Sequence, residues 1–97
     1  MTRQRLPNRR AAEAVSFVHD GRRWTATFGR FDDGRLAEVF LDGGKTSAIA
    51  DAARESALLA SLALQHGAPL ETIRHALDGR DAGPLAAALG LVSGAPE

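Results

Sequence analysis

Apolar and polar side chains alternate along the chain from Val15 to Leu41, and the period then changes abruptly at Gly43-Gly44-Lys45. Asp20-Gly21 is a two-residue hairpin signal, because a type I′ turn needs positive φ at both central positions and Asp-Gly tolerates it. With that turn fixed, His19 faces Arg22, Phe17 faces Trp24 and Val15 faces Ala26, so the large side chains fall on one side. A second turn at Asp33-Gly34 sets Phe28 opposite Val39 and Ala26 opposite Leu41, on the side already occupied by Phe17 and Trp24. Two independent turn placements agree on one core face. They predict three antiparallel strands near residues 13 to 19, 22 to 30 and 35 to 41, arranged as a meander.

The opposite face carries Ser16, Arg23, Thr25, Thr27 and Glu38, as a solvated face should. Val18, Leu36 and Phe40 break that rule, and Phe31 joins them if the second hairpin pairs close to its turn. One exposed apolar residue means nothing. Several on one sheet face point to self-association or a covering segment, set against plain exposure.

Beyond the glycine pair the apolar positions recur at helical spacing. Thr46 or Ser47 caps a long helix with Asp51 and Glu55 in its first half and Gln65-His66-Gly67 at its end. Ile49, Ala53, Ala57, Ala60 and Leu64 form the stripe expected to pack on the sheet, and Leu58 and Leu62 lie on the other side, one turn apart. The expected cover for that side is the next helix, opened by Pro69 and carrying Leu70, Ile73 and Leu77, with Asp78-Gly79 as its stop. A short third helix is predicted from Pro84 to about Leu91. The organisation is α+β: an Arg-rich arm over 1–12, one domain over 13–91 and a frayed tail over 92–97.

Composition narrows the function classes. At 97 residues the chain is one domain, able to bury about two-thirds of its unfolded surface. It has no cysteine, which excludes disulfides, thiolate metal sites and thiol-based catalysis, and suggests a reducing, cytoplasmic setting. No apolar run approaches the roughly 18–20 residues of a membrane span, and the N-terminus is polar. Twelve basic and 12 acidic side chains cancel. The distribution is nevertheless uneven: Arg3, Arg5, Arg9 and Arg10 stand in the first ten residues with no acid among them, so the remainder carries a net −4. Arg9 and Arg10 are candidates for meeting an acidic partner or phosphates, against the reading of a solvated tail.

Gly44-Lys45-Thr46, after a strand and before a helix, invites a phosphate-loop reading. The motif also needs a glycine five positions before Gly44, where Val39 stands. What survives is a helix start with Lys45, Thr46 and Ser47 as anion-binding candidates, helped by Arg30 or Arg35 if the second hairpin bends that way. His19, His66 and His75 fall on separate elements with no carboxylate at ligand spacing, so neither a metal nor a cofactor is implied. Ser47, Ser56, Ser61 and Ser93 sit in no nucleophile elbow. Residues 62–77 outline a helix-turn-helix, with Thr72, Arg74 and His75 facing out. Against it, that helix has a single Arg, flanked by Glu71 and Asp78, and nucleic acid is the less favoured partner.

Leu6-Pro7-Asn8-Arg9-Arg10, then the tract from Gly29-Arg30-Phe31-Asp32-Asp33-Gly34 to Leu41, Lys45, and Ser61-Leu62-Ala63-Leu64-Gln65-His66-Gly67 on to Leu77 together resemble the TSCPD domain. That domain is found at the C-terminus of adenosylcobalamin-dependent ribonucleotide reductases and in small stand-alone bacterial proteins. The resemblance implies a non-enzymatic accessory module that docks to or regulates a reductase, with nucleotide as a second possible partner. It offers no catalytic residue to carry over, and the cysteine tract that names the domain is missing here. The surplus apolar residues Val18, Leu36, Phe40, Leu58 and Leu62 lead to the further expectation of a homo-oligomer, a dimer in its simplest form.

Overall fold

The computed structural model describes residues 12–77 and 83–92. Three strands, β1 (Ala12–His19), β2 (Arg22–Arg30) and β3 (Leu36–Asp42), form one antiparallel sheet in the order β1-β2-β3. Three helices follow: α1 (Ala48–Gln65), α2 (Leu70–Leu77) and α3 (Pro84–Leu89). The α+β meander is as the pattern predicts. Asp20 and Gly21 both have positive φ, 52° and 75°, and the pairs His19↔Arg22, Phe17↔Trp24 and Val15↔Ala26 are all present.

The second hairpin keeps Phe28↔Val39 and Ala26↔Leu41 but differs nearer its turn. Phe31 N–H donates to Arg35 O and Gly34 N–H to Phe31 O, both at 2.9 Å. The loop is therefore the three residues Asp32-Asp33-Gly34, with Gly34 at φ 92°, a standard longer hairpin connection. The extra loop residue is absorbed by a bulge, since Gly29 pairs with Glu38 and Arg30 with Leu36, leaving Ala37 unmatched. Beyond a bulge the side-chain alternation inverts. Leu36, expected on the outer face, is instead in the core at 2% exposure, and Phe31 is buried as well. Glu38 is buried too, over Gly29, where an added Cβ would come within 2.5 Å of the carboxylate.

Ser47 caps α1 as expected, its Oγ accepting the Ala50 N–H at 3.1 Å. The helix buries Ala53, Ala57, Ala60 and Leu64 against the sheet, with Trp24, Phe28 and Val39 beneath. These small side chains permit close approach of helix and strand. Ile49 does not belong to that stripe; it is 61% exposed. The cover of α1 also differs from expectation. α3 buries Leu85, Ala88 and Leu89 into the core that Val15 and Phe17 border, and α2 adds Leu70, Ile73 and Leu77. Leu58 stays 54% exposed, and Leu62 is half-buried. Val92 packs on the core, and β1 starts at Ala12. The arm residues Arg9 and Arg10 and the Asp78-Gly79 stop lie outside the described residues.

Two polar side chains of α1 are buried on purpose. In an antiparallel sheet, alternate residues of an edge strand point their backbone groups away from the neighbour, and on β3 these are Ala37, Val39 and Leu41. Ser61 Oγ accepts the Val39 N–H at 2.9 Å and shares its own hydrogen between Val39 O at 3.0 Å and Ala57 O at 2.9 Å. One turn later Gln65 Nε2 donates to Ala37 O at 3.1 Å, the carbonyl of the bulge residue. The helix thus closes the β3 edge against further pairing.

Candidate functional site

The register brings the tip of the first hairpin to the end of the sheet where β3 runs out, because Thr25 pairs with Asp42. Between that tip and the β3–α1 loop lies an open cleft of about 480 Å³, lined by Arg22, Arg23, Thr25, Asp42, Lys45 and the backbone of Gly21, Gly43 and Gly44. Three cations against one carboxylate leave its walls with a net +2. Arg22 braces the floor: its Nη1 donates to Gly43 O at 3.0 Å and to Lys45 O at 3.4 Å, and its guanidinium lies 5.9 Å from the Trp24 ring centroid. Gly43 is required there because a Cβ would meet Trp24 at 2.9 Å. Asp42 Oδ1 accepts the Gly44 N–H at 2.8 Å and holds the loop in its turn.

A second hollow of about 370 Å³ opens on the helix side of the same loop, with Lys45 and Arg54 balanced by Asp42 and Asp51. Asp51 is within 3.5 Å of Arg54. Thr46 is exposed, and Ser47 is committed to capping. The first hollow is therefore the better electrostatic trap for an anion, and the helix start itself is flanked by acids.

The expected anion-binding set divides. Lys45, Thr46 and Ser47 stand together, but Arg30 and Arg35 sit at the opposite end of the sheet, more than about 20 Å away at a strand rise of about 3.3 Å per residue. Arg30 donates to Gly34 O at 3.0 Å. Arg35 binds Asp33 at 2.8 Å and lies 4.9 Å from the Phe31 ring centroid. These two arginines build the second hairpin and take no part in the cleft beside Lys45. Two hydrogen bonds, from the Arg35 backbone N–H and then from its guanidinium, hold the Asp33 carboxyl below the usual aspartate value. Arg22 and Arg23 are the cleft residues that sequence reasoning missed. The signal was present: the Asp20-Gly21 turn and the Ala26↔Leu41 pair together place them beside the end of β3.

Other sequence candidates stand apart. His19, His66 and His75 occupy three separate elements, and among the described residues no group of three or more His, Asp or Glu could hold a metal. Arg74, the one cation of the supposed recognition helix, is turned inward: its Nη2 donates to Leu89 O at 2.7 Å and its Nη1 binds Glu71 at 2.6 Å. It fastens the end of α3 instead of facing a groove. Val18 and Phe40 remain exposed at 66% and 48%. No helix among the described residues is long and apolar enough to cross a membrane.

The chain is 39% identical over 70 residues to the vitamin B12-dependent ribonucleotide reductase of Agrobacterium fabrum and 36% identical over 70 residues to that of Bradyrhizobium diazoefficiens. Each match takes in 71% of this chain but only 6% of the relative, so the chain spans a small fraction of the curated proteins it matches. No solved structure matches it significantly. The TSCPD domain profile matches residues 2–92, nearly the whole length, and the chain belongs to the TSCPD domain family.

Proposed function

We propose that this chain is a non-catalytic accessory module that docks on a ribonucleotide reductase and offers the basic cleft beside Lys45 to an anionic group of that assembly. The observation that carries the reading is the identity of 36–39% to a short segment of vitamin B12-dependent ribonucleotide reductases. The cleft supplies the chemistry: Arg23 and Lys45 are exposed, and Arg22 is fixed by the loop carbonyls. Such an arrangement suits a carboxylate or a nucleotide phosphate. Arg9 and Arg10 belong to the same proposal as a second basic element in the docking arm. The absence of cysteine and the placing of His19, His66 and His75 on separate elements support a binding role over catalysis.

The test is titration of the full chain into a vitamin B12-dependent ribonucleotide reductase from the same genome, followed by calorimetry. A saturable complex is expected. Its affinity should fall by about tenfold or more when Arg23→Glu and Lys45→Glu reverse the exposed cleft charges, because like charges set face to face repel. No complex at micromolar concentrations would overturn docking. Retardation of duplex DNA that weakens steeply with salt would favour the nucleic-acid reading instead.

A further inference from the structure

The two edges of the sheet are treated differently. β3 is closed by Ser61 and Gln65 of α1. β1 is eight residues long and has nothing comparable among the described residues. A two-residue hairpin makes the pair next to its turn, His19↔Arg22, a hydrogen-bonded one, and the alternation then runs back along the strand. Glu13, Val15, Phe17 and His19 bond to β2. Ala12, Ala14, Ser16 and Val18 turn their N–H and C=O groups outward, and all four are exposed. Edges left open in a monomer are commonly short, bulged or guarded by Lys or Pro. β1 has no Lys and no Pro, pairs without a bulge, and carries one acid, Glu13.

We infer that this edge pairs with the same edge of a second copy, antiparallel about a two-fold axis at Ser16, so that two sheets become one. A two-fold pairing of outward-pointing residues has few registers, and the one centred on Ser16 matches each side chain from Glu13 to His19 with a fitting partner. Ser16 meets the partner's Ser16, and Ala14 meets the partner's Val18. On the core side, half-buried Val15 meets the partner's half-buried Phe17, and Glu13 meets the partner's His19 as acid against imidazole. A shift of one register step, to an axis at Val15, would set Phe17 against the partner's Glu13. The chosen register also forms about six inter-chain backbone hydrogen bonds, two for each pair among residues 14, 16 and 18. This places Val18 in an interface and leaves Phe40 and Leu58 outside it; Leu36 has no part because it is in the core. The inference stands apart from docking on a reductase, since it needs only a second copy of this chain.

Sedimentation velocity of the full chain and two variants at Ser16 test it. The parent is expected to sediment as a dimer at tens of micromolar. Ser16→Pro removes an outward N–H that β2 does not use, so it should keep the circular dichroism of the parent and sediment as a monomer. Since the sequence holds no cysteine, Ser16→Cys introduces a single thiol. Facing Cα atoms about 5.5 Å apart suit a disulfide, so its oxidative cross-linking should run at least about tenfold faster than that of Thr72→Cys on the exposed side of α2. A monomeric parent, a folded Ser16→Pro that stays dimeric, or equal cross-linking of the two cysteine variants would each overturn the pairing. If Ser16→Pro does not fold, the cross-linking comparison decides alone.

Discussion

Replacing Ser61 by Ala tests whether the helix holds the sheet edge through polar contacts or merely rests on it. The hydroxyl serves Val39 N–H at 2.9 Å in a place where Val39 itself is fully buried. Ala leaves that buried donor without its partner, a loss of about 1–3 kcal/mol. Ala is the better helix former by about 0.5 kcal/mol, which offsets part of it. The net destabilisation is about 0.5–2.5 kcal/mol. For a chain of 97 residues the unfolding entropy near the midpoint is about 0.2 kcal/mol/K, so Tm should fall by about 2.5–12 °C in a calorimetric scan. Ser56→Ala is the control, because the Ser56 hydroxyl donates to Ala53 O within the same helix, at 2.8 Å, and satisfies no sheet group. That variant should stay within about 0.5 kcal/mol of the parent. Equal Tm values for Ser61→Ala, Ser56→Ala and the parent would refute the clip.

Trp24→Ala should cost about 3–5 kcal/mol, because the ring fills the space under α1 at 1% exposure, whereas Trp24→Phe should cost clearly less. The buried Nε1 has no partner among the described residues, and Phe removes that donor; chemical denaturation of both variants checks the order. Gly29→Ala should destabilise through contact with the Glu38 side chain, and Glu38→Ala in the same chain should recover most of the loss, as a double-mutant cycle by thermal melting would show. The lowered folded-state pKa of Asp33 implies a contribution to stability that is present above the ordinary value of 3.8 and lost as pH falls through the folded value. The difference in Tm between the parent and Asp33→Asn should therefore shrink in strong acid, and a difference that grew there would contradict the sign.

The register of both hairpins was legible because two glycine turns independently set the same large side chains on one face, and a slip by one residue would have turned Trp24 and Phe28 outward. The bulge at Ala37 was not legible. Asp33-Gly34 can close a two-residue or a three-residue loop, and the choice depends on whether the sheet can absorb one extra residue. Here it can, because Gln65 on a different element takes the carbonyl that the bulge releases. The bulge carries Leu36 into the core and removes it from the surface set. Ile49 fits the helical period but lies in the first turn, before α1 has come down onto the sheet, so periodicity alone placed it wrongly. For the cleft, Lys45 was visible as the residue before a helix start. Arg22 and Arg23 were hidden because they read as strand residues until the sheet end was assembled.

What the resemblance marks and what the cleft contributes are different parts of the molecule. Within the shared strings, Gly29 gives Glu38 its place, Asp33 and Arg35 build the hairpin loop, and Ser61 and Gln65 close the β3 edge. Those residues all have architectural duties, so the family likeness accounts for the fold in physical terms. Arg22 and Arg23 lie outside these strings, and of the cleft's cations only Lys45 is inside them. The same fold could therefore be kept while the hairpin tip varied, since surface cations at a turn contribute little to stability. A loop held to a neighbouring turn by Arg22 is a fixed frame on which exposed side chains can be exchanged without repacking the core. Reversing Arg23 and Lys45 should on this ground leave Tm within about 2–3 °C of the parent while altering what the cleft attracts. A large loss of stability in that double variant would mean the cations are part of the frame and that the cleft is a structural seam instead of a binding surface.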